Sequence, residues 1–219
     1  KRVAAINTKL RIRFATSHPK DITDNLPKTI ADFPNICRSI HLPLQSGSTR
    51  ILQLMNRKYT REDYMHRVES FRRYIPGCAV STDIICGFCS ETDKDFDFTC
   101  SLMEWVGFDY AYMFKYSERP GTPAAGKLND DVPDEVKAAR LKQIIDLQQK
   151  LSLASNKKDI GKITEVLVEG ISKRSDEHLV GRNIQNKVVI FPRQRFKPGD
   201  YVNIRINRCT SATLFGDCE

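Results

Sequence analysis

The stretch Ser81-Thr-Asp-Ile-Ile-Cys-Gly-Phe-Cys-Ser-Glu91 decides the fold. With Ala79 and Val80 before it, its first half is apolar and rich in β-branched residues, the composition of a buried strand. At Gly87 the backbone is free to turn or to let a ligand approach closely. Thr92 then stands where a helix cap belongs, with Asp93 and Asp95 in the first turn. Phe96, Cys100 and Met103 follow at helical spacing. Strand, glycine turn and helix make one βα unit, and ligands of parallel α/β folds bind at that turn.

The same unit recurs outward along the chain. Upstream, Leu10, Ile12 and Phe14 alternate with Arg11 and Arg13, a strand ending at Ser17-His18-Pro19. Ile22, Leu26 and Ile30 mark a short helix in which Pro27 reads as a flaw. Ser39 to Leu42 is a second strand, ending in Pro43-Leu-Gln-Ser-Gly-Ser48, where Ser46 or Ser48 caps a helix bearing Ile51, Leu52 and Met55. Thr60-Arg-Glu-Asp63 resembles a capping box. Downstream, Tyr110 to Tyr116 is a fourth strand, followed by Ser117-Glu-Arg-Pro-Gly-Thr-Pro123. Four strand–helix alternations predict an α/β fold with a parallel sheet and right-handed crossovers, a barrel or part of one. The unusual loops all fall at strand ends, the catalytic face of such barrels.

Pro133, Asp134 and Glu135 open another helix, with Leu141, Ile144, Ile145 and Leu151 as its apolar stripe. Asn156 to Gly161 reads as a linker, dividing the chain into residues 1–156 and 157–219. Beyond it the helical period stops. Val166 and Val168, Val188 to Phe191, and Tyr201, Ile204 and Ile206 predict a small antiparallel β-barrel with a turn at Pro198-Gly199.

The chain has 219 residues and a formal net charge of +8, which favours a polyanionic partner. In the second region, Lys162, Lys173, Arg174, Arg182, Lys187, Arg193, Arg195, Lys197, Arg205 and Arg208 are interleaved with Phe191, Phe196 and Tyr201. Small barrels with cationic loops and exposed aromatics bind single-stranded or looped RNA by phosphate contact and stacking. A solvated basic surface is the plainer alternative. Seven cysteines without small-domain spacing suggest reduced thiols and a cytoplasmic protein. Cys86 and Cys89 have CxxC spacing but no second ligand pair nearby, so they read as thiols and no metal site is expected. His18 and His41 near strand ends read as scaffold, and Glu118-Arg119 as a local salt bridge or an anion clamp. No apolar run is long enough to span a membrane.

Taken together, Leu42-Pro-Leu-Gln-Ser-Gly-Ser48, Ser81 to Phe88, Phe114-Lys-Tyr-Ser-Glu-Arg-Pro-Gly-Thr122 and Val166-Leu-Val-Glu-Gly-Ile-Ser-Lys-Arg174 resemble the radical S-adenosylmethionine methylthiotransferases. The similarity is greatest to the branch that adds a methylthio group to isopentenyladenosine beside the anticodon of tRNA. Other branches act on threonylcarbamoyl-adenosine or on a ribosomal protein, and a standalone RNA-binding module is the reading of a different class. The resemblance implies a partial (βα)6 radical-SAM barrel followed by an OB-like TRAM barrel that grips the tRNA anticodon stem-loop. It implies S-adenosylmethionine and two 4Fe-4S clusters as cofactors, with an amino-terminal cluster domain and a CxxxCxxC loop that these residues do not include. The chain would then supply the last four βα strands plus TRAM, act as a monomer, and not complete the reaction alone. By resemblance, Gln45, Ser46, Asp83, Gly87 and Glu91 match loops lining the S-adenosylmethionine pocket, and Arg119 matches a position facing the active centre. Cys86 and Cys89-Ser90 depart from the family's usual aliphatic and Pro-Gly residues.

Overall fold

A computed structural model describes residues 1–13, 19 and 22–219. The expectations for Phe14 and for Ser17-His18 lie outside the described residues. In chain order the elements are α1 (Arg2–Ile6), α2 (Asn25–Asp32), β1 (Ser39–His41), α3 (Thr49–Leu54), α4 (Arg61–Tyr74), β2 (Ala79–Cys86), α5 (Asp93–Val106), β3 (Tyr110–Lys115), α6 (Pro123–Lys127) and α7 (Asp134–Lys157). Five strands follow: β4 (Ile163–Ser172), β5 (Ser175–Asn183), β6 (Val188–Pro192), β7 (Tyr201–Cys209) and β8 (Leu214–Cys218).

The first three strands form a parallel sheet in the order β1-β2-β3. Of the first expected strand, around Leu10 and Ile12, the described residues show one parallel bridge, Ile12 to Ile36. β2 alternates as a strand with one covered face should. Val80, Thr82, Ile84 and Cys86 are buried, whereas Ser81, Asp83 and Ile85 are half-buried on the opposite face. On β3 that opposite face carries Tyr110, Tyr112 and Phe114, each about half exposed. The sheet therefore has one face packed against helices and one open face.

The helix starts follow their caps. Thr60 with Asp63 and Thr92 with Asp95 form complete capping boxes, and Ser48, not Ser46, caps α3. Pro27 is no flaw, because it lies in the first turn of α2, where the missing N–H has no helical acceptor to lose. The stripe expected on α7 is largely replaced. Of its four residues only Ile144 is fully buried, and Lys137, Arg140, Gln148, Ser152 and Asn156 share its face. These polar side chains are paired. Gln148 donates to Phe108 O at 2.8 Å, and Ser152 donates to Asp109 O at 2.8 Å.

The last five strands close a barrel in the order β4-β5-β6-β8-β7. Its pairs are antiparallel except β6–β8, which is parallel, a departure from the expected all-antiparallel barrel. Gly181 and Gly216 permit this closure, since a Cβ on either would overlap a carbonyl of the neighbouring strand. The segment expected as a linker is packed: α7 runs to Lys157, and Gly161 N donates to Ile206 O at 2.7 Å. The barrel seats on the amino ends of the sheet strands. Arg38 N donates to Ile184 O at 2.8 Å, and Gln185 Nε2 to Gly77 O at 2.6 Å.

Candidate functional site

Three loops leave the carboxyl ends of β1, β2 and β3. In the first, Gln45 adopts φ +67° and bridges β2 with its main chain. Its N–H donates to Asp83 O at 2.8 Å and its carbonyl accepts from Ile85 N at 2.9 Å. Ser46 is fully buried, with its hydroxyl 3.5 Å from that of Thr99 and accepting from Ser48 N at 3.2 Å. It shapes the loop from behind and does not present its side chain to the open face.

On that open face, Asp83 Oδ2 lies 3.3 Å from His41 Nε2, and His41 Nδ1 lies 3.0 Å from Ser81 Oγ. The His41 ring meets the Tyr112 ring edge-on at 5.9 Å, and Tyr112 meets Tyr110 edge-on at 4.9 Å. A half-exposed carboxylate thus stands beside a wall of aromatic rings.

The second loop turns at Gly87, φ +73°, where a Cβ would overlap Lys137 of α7. Gly87 N donates to Glu91 Oε2 at 2.6 Å, and Arg140 Nη1 donates to the same oxygen at 2.9 Å. Glu91 is buried, which pushes its carboxyl pKa up against the pull of Gly87 and Arg140. It therefore closes the loop against α7 and does not aim into the open face. The reason is geometric: its carboxylate is the acceptor for the N–H that the Gly87 turn leaves free. In the third loop Arg119 sits in an exposed turn, its carbonyl accepting from Thr122 Oγ1 at 2.9 Å. Of the six residues, the fold brings Asp83 and the Gln45 main chain together on the open face. Gly87 holds the loop beside them.

Cys86 and Cys89 part company. Cys86 packs in the main core and Cys89 with Ile51 and Phe88. Burial raises both thiols, Cys86 to about 12. Among the described residues no three His, Cys, Asp or Glu side chains gather as a metal site. The described residues do not fit an iron–sulfur cluster. A cavity of about 590 Å³ runs along the open sheet face toward the barrel, where His41, Ser81, Tyr110 and Tyr112 face Arg182, Asn186 and Lys187. Its far end reaches the amino pole of the strands, and His41, Ser81 and Tyr112 connect it to the side of the sheet that carries Asp83.

On the barrel, Lys173 and Arg174 occupy the β4–β5 turn, and Arg193 and Arg195 follow β6. Arg193 N donates to Glu177 O at 2.7 Å, which brings these two segments together as one exposed basic edge. Arg182 lies apart, facing the cavity, bonded to Asn186 O at 2.8 Å and 3.4 Å from Glu169. Lys162 also lies apart, exposed at the start of β4 and 3.7 Å from Asp159. Phe191 is a correction: it is fully buried in the barrel core because β6 alternates and turns it inward. Phe196 packs on the same core, and Tyr201 anchors the amino-terminal segment through its hydroxyl to Lys9 O at 2.9 Å. The surface ring that sequence reading missed is Phe215, half-buried beneath the Arg208 guanidinium at 3.7 Å. A bulge between Ile206 and Arg208 sets that pairing, and no sequence signal marks it.

Residues 1–103 match the radical SAM superfamily, and residues 157–218 match the TRAM domain. The tRNA-2-methylthio-N(6)-dimethylallyladenosine synthase of Parabacteroides distasonis is 57% identical over 216 residues, 99% of this chain and 47% of that protein. Over nearly its whole length the chain is thus similar to a tRNA methylthiolating synthase, with its first and last regions matching the radical SAM superfamily and the TRAM domain. Two further synthases of the same name agree. That of Porphyromonas gingivalis is 56% identical, covering 98% of this chain and 46% of itself. That of Chloroherpeton thalassium is 52% identical, covering 99% and 48%. The chain thus spans about half the length of these relatives. Among solved structures, coproporphyrinogen III oxidase from Escherichia coli, a radical SAM enzyme, superposes with a TM-score of 0.53. It covers 87% of this chain and 45% of the oxidase at 14% identity, a likeness of fold alone. β1 and β2 fall in the region that matches the radical SAM superfamily, and the closed barrel in the region that matches the TRAM domain. No helix among the described residues is long and apolar enough to cross a membrane.

Proposed function

We propose that this chain is the S-adenosylmethionine-cradling and tRNA-gripping part of an enzyme that adds a methylthio group to isopentenyladenosine beside the anticodon. The relatives' names use dimethylallyladenosine for the same base. The observation that carries the reading is identity of 57% across 99% of the chain, spanning radical SAM region, α7 and TRAM together.

The open sheet face fits S-adenosylmethionine chemically. The Asp83 carboxylate suits an amine or ribose hydroxyls, and the Tyr110–Phe114 face suits a purine. Gln45 holds the strand end beside Asp83 through its main chain, and Gly87 keeps the next loop close. Ser46 and Glu91 act behind these loops, and Arg119 stands ready at the exposed rim. Bound there, S-adenosylmethionine supplies the radical and methyl chemistry of the family; the protein's share is positioning and exclusion of water. Two 4Fe-4S clusters, with ligands outside these residues, complete the assignment. Residues 1–156 serve this chemistry, and residues 157–219 hold the anticodon stem-loop through Lys173, Arg174, Arg193 and Arg195, with Lys162 and Arg182 flanking. The protein works as a cytoplasmic monomer.

The test is binding of this chain to an anticodon stem-loop with and without isopentenyladenosine, across a salt series. Salt-sensitive binding supports the grip, and preference for the modified loop supports the base assignment. No binding at low salt contradicts an RNA substrate.

A further inference from the structure

The carboxyl-end loop of β2 is held by a side chain from the outer helix layer. Arg140 is buried and reaches inward from α7. Its Nη1 donates to Glu91 O at 3.1 Å and to Glu91 Oε2 at 2.9 Å, and its Nη2 donates to Asp93 Oδ1 at 2.7 Å. One guanidinium thus ties both the main chain and the carboxylate of Glu91 to the first turn of α5. Through Oε2 the contact passes to Gly87 N, the turn of the loop. One helical turn earlier, buried Lys137 packs on Gly87 and pairs with Asp130 at 2.5 Å. The Arg140 guanidinium also lies 5.5 Å from the Phe96 ring centre.

This arrangement is costly as a mere prop. The Glu91 side chain is 1% exposed and Arg140 8%. Glu91 Oε1 has no hydrogen-bond partner, although it is buried. Replacing a buried ion pair by apolar side chains is often neutral or stabilising, so the pair is poorly explained by stability. A planar, bidentate fork does fix a loop's position to a few tenths of an ångström, which an apolar contact does not.

We propose that Arg140 is a positioning residue: it sets the Gly87–Glu91 loop at the height required to hold S-adenosylmethionine on the open sheet face. The inference rests on the proposed function for the identity of the ligand, and on the contacts above for the role.

The experiment is equilibrium binding of S-adenosylmethionine to the full-length protein carrying Arg140→Ala, with stem-loop affinity measured alongside. The cofactor should bind at least about 10-fold more weakly, while RNA binds as in the wild type. Arg140→Lys should recover part of the loss, because one of the three contacts survives. Unchanged cofactor affinity, or an equal loss of both ligands, overturns the proposal. Amide exchange in this chain gives a readout free of cofactor. In Arg140→Lys, which keeps the buried charge, the Gly87–Glu91 amides should exchange faster while those of β2 stay protected; unchanged exchange overturns the proposal. Wild-type protein that binds RNA but no S-adenosylmethionine contradicts the functional reading. A wild type that binds both, beside an Arg140→Ala variant that also binds both, contradicts the positioning role alone.

Discussion

Lys187 Nζ lies 2.8 Å from Asp159 Oδ2, joining the β5–β6 turn to the segment that leaves α7. Asp109 Oδ1, at the start of β3, is 3.5 Å from the same ammonium, and Ser155 Oγ is 2.9 Å away. One nearly buried cation thus fastens the TRAM barrel to both the sheet and the long helix. The closed barrel is mounted on the amino pole of the strands, opposite the loops of Gln45, Gly87 and Arg119. Lys187→Met removes the cation shared by Asp109 and Asp159, both largely covered, so the chain should lose about 3 kcal/mol. Urea unfolding followed separately in each domain checks this, with the loss expected in the coupling between the two transitions.

Phe191 tests the corrected view of the barrel. Phe191→Ala empties a fully buried site and should destabilise the TRAM barrel by about 4 kcal/mol. At a temperature where the variant remains folded, RNA affinity should equal that of the wild type. Differential scanning calorimetry with an RNA titration on the same sample reads both.

The basic edge should behave differently. Substituting Lys173, Arg174, Arg193 or Arg195 with Ala leaves the fold unchanged and weakens RNA at low salt. Each should lower the slope of log affinity against log salt by about 0.7, the value for one contact to a single strand. Arg182→Ala should change the slope less, because its guanidinium is engaged by Glu169 and Asn186.

Acid stability should centre on Asp95. Burial acts to raise its carboxyl, but hydrogen bonds from Arg50, Ser48 and Thr92 outweigh this and hold it well below the carboxylate range. Because its folded pKa is depressed below the ordinary 3.8, its stabilisation is full above that value and disappears as pH falls toward the folded one. Ser48→Ala removes the α3 cap and a 2.6 Å bond to Asp95, costing about 1.5 kcal/mol at neutral pH. It should also flatten the acid limb of stability, measured by denaturant unfolding from neutral pH to about pH 2.

The parts of the fold that were legible carry local signals. β2 shows its alternation, Thr60 and Thr92 their caps, and β3 its run of aromatics. α7 hid its buried face because Lys137, Arg140 and Gln148 look solvated until their partners Asp130, Glu91, Asp93 and Phe108 are known. β5 and β8 were missed because each is interrupted by a glycine that weakens the strand pattern, Gly181 and Gly216. Both glycines exist for close strand approach, a property of pairing and not of local sequence. Phe191 was misread because alternation within so short a strand does not say which face is inside. At the candidate site, Asp83 came from the family resemblance alone, since in mid-strand on β2 it carries no local signal. The true direction of Glu91 was not legible, since it depends on Arg140, 49 residues away.

The measurement that bears most directly on the central claim is nucleoside mass analysis of tRNA incubated with the reconstituted full-length protein, reductant and S-adenosylmethionine. The account predicts conversion of isopentenyladenosine to its 2-methylthio derivative, abolished by Asp83→Ala and weakened by loss of the Arg193–Arg195 edge. Unmodified tRNA recovered beside a methylthiolated protein substrate would contradict it.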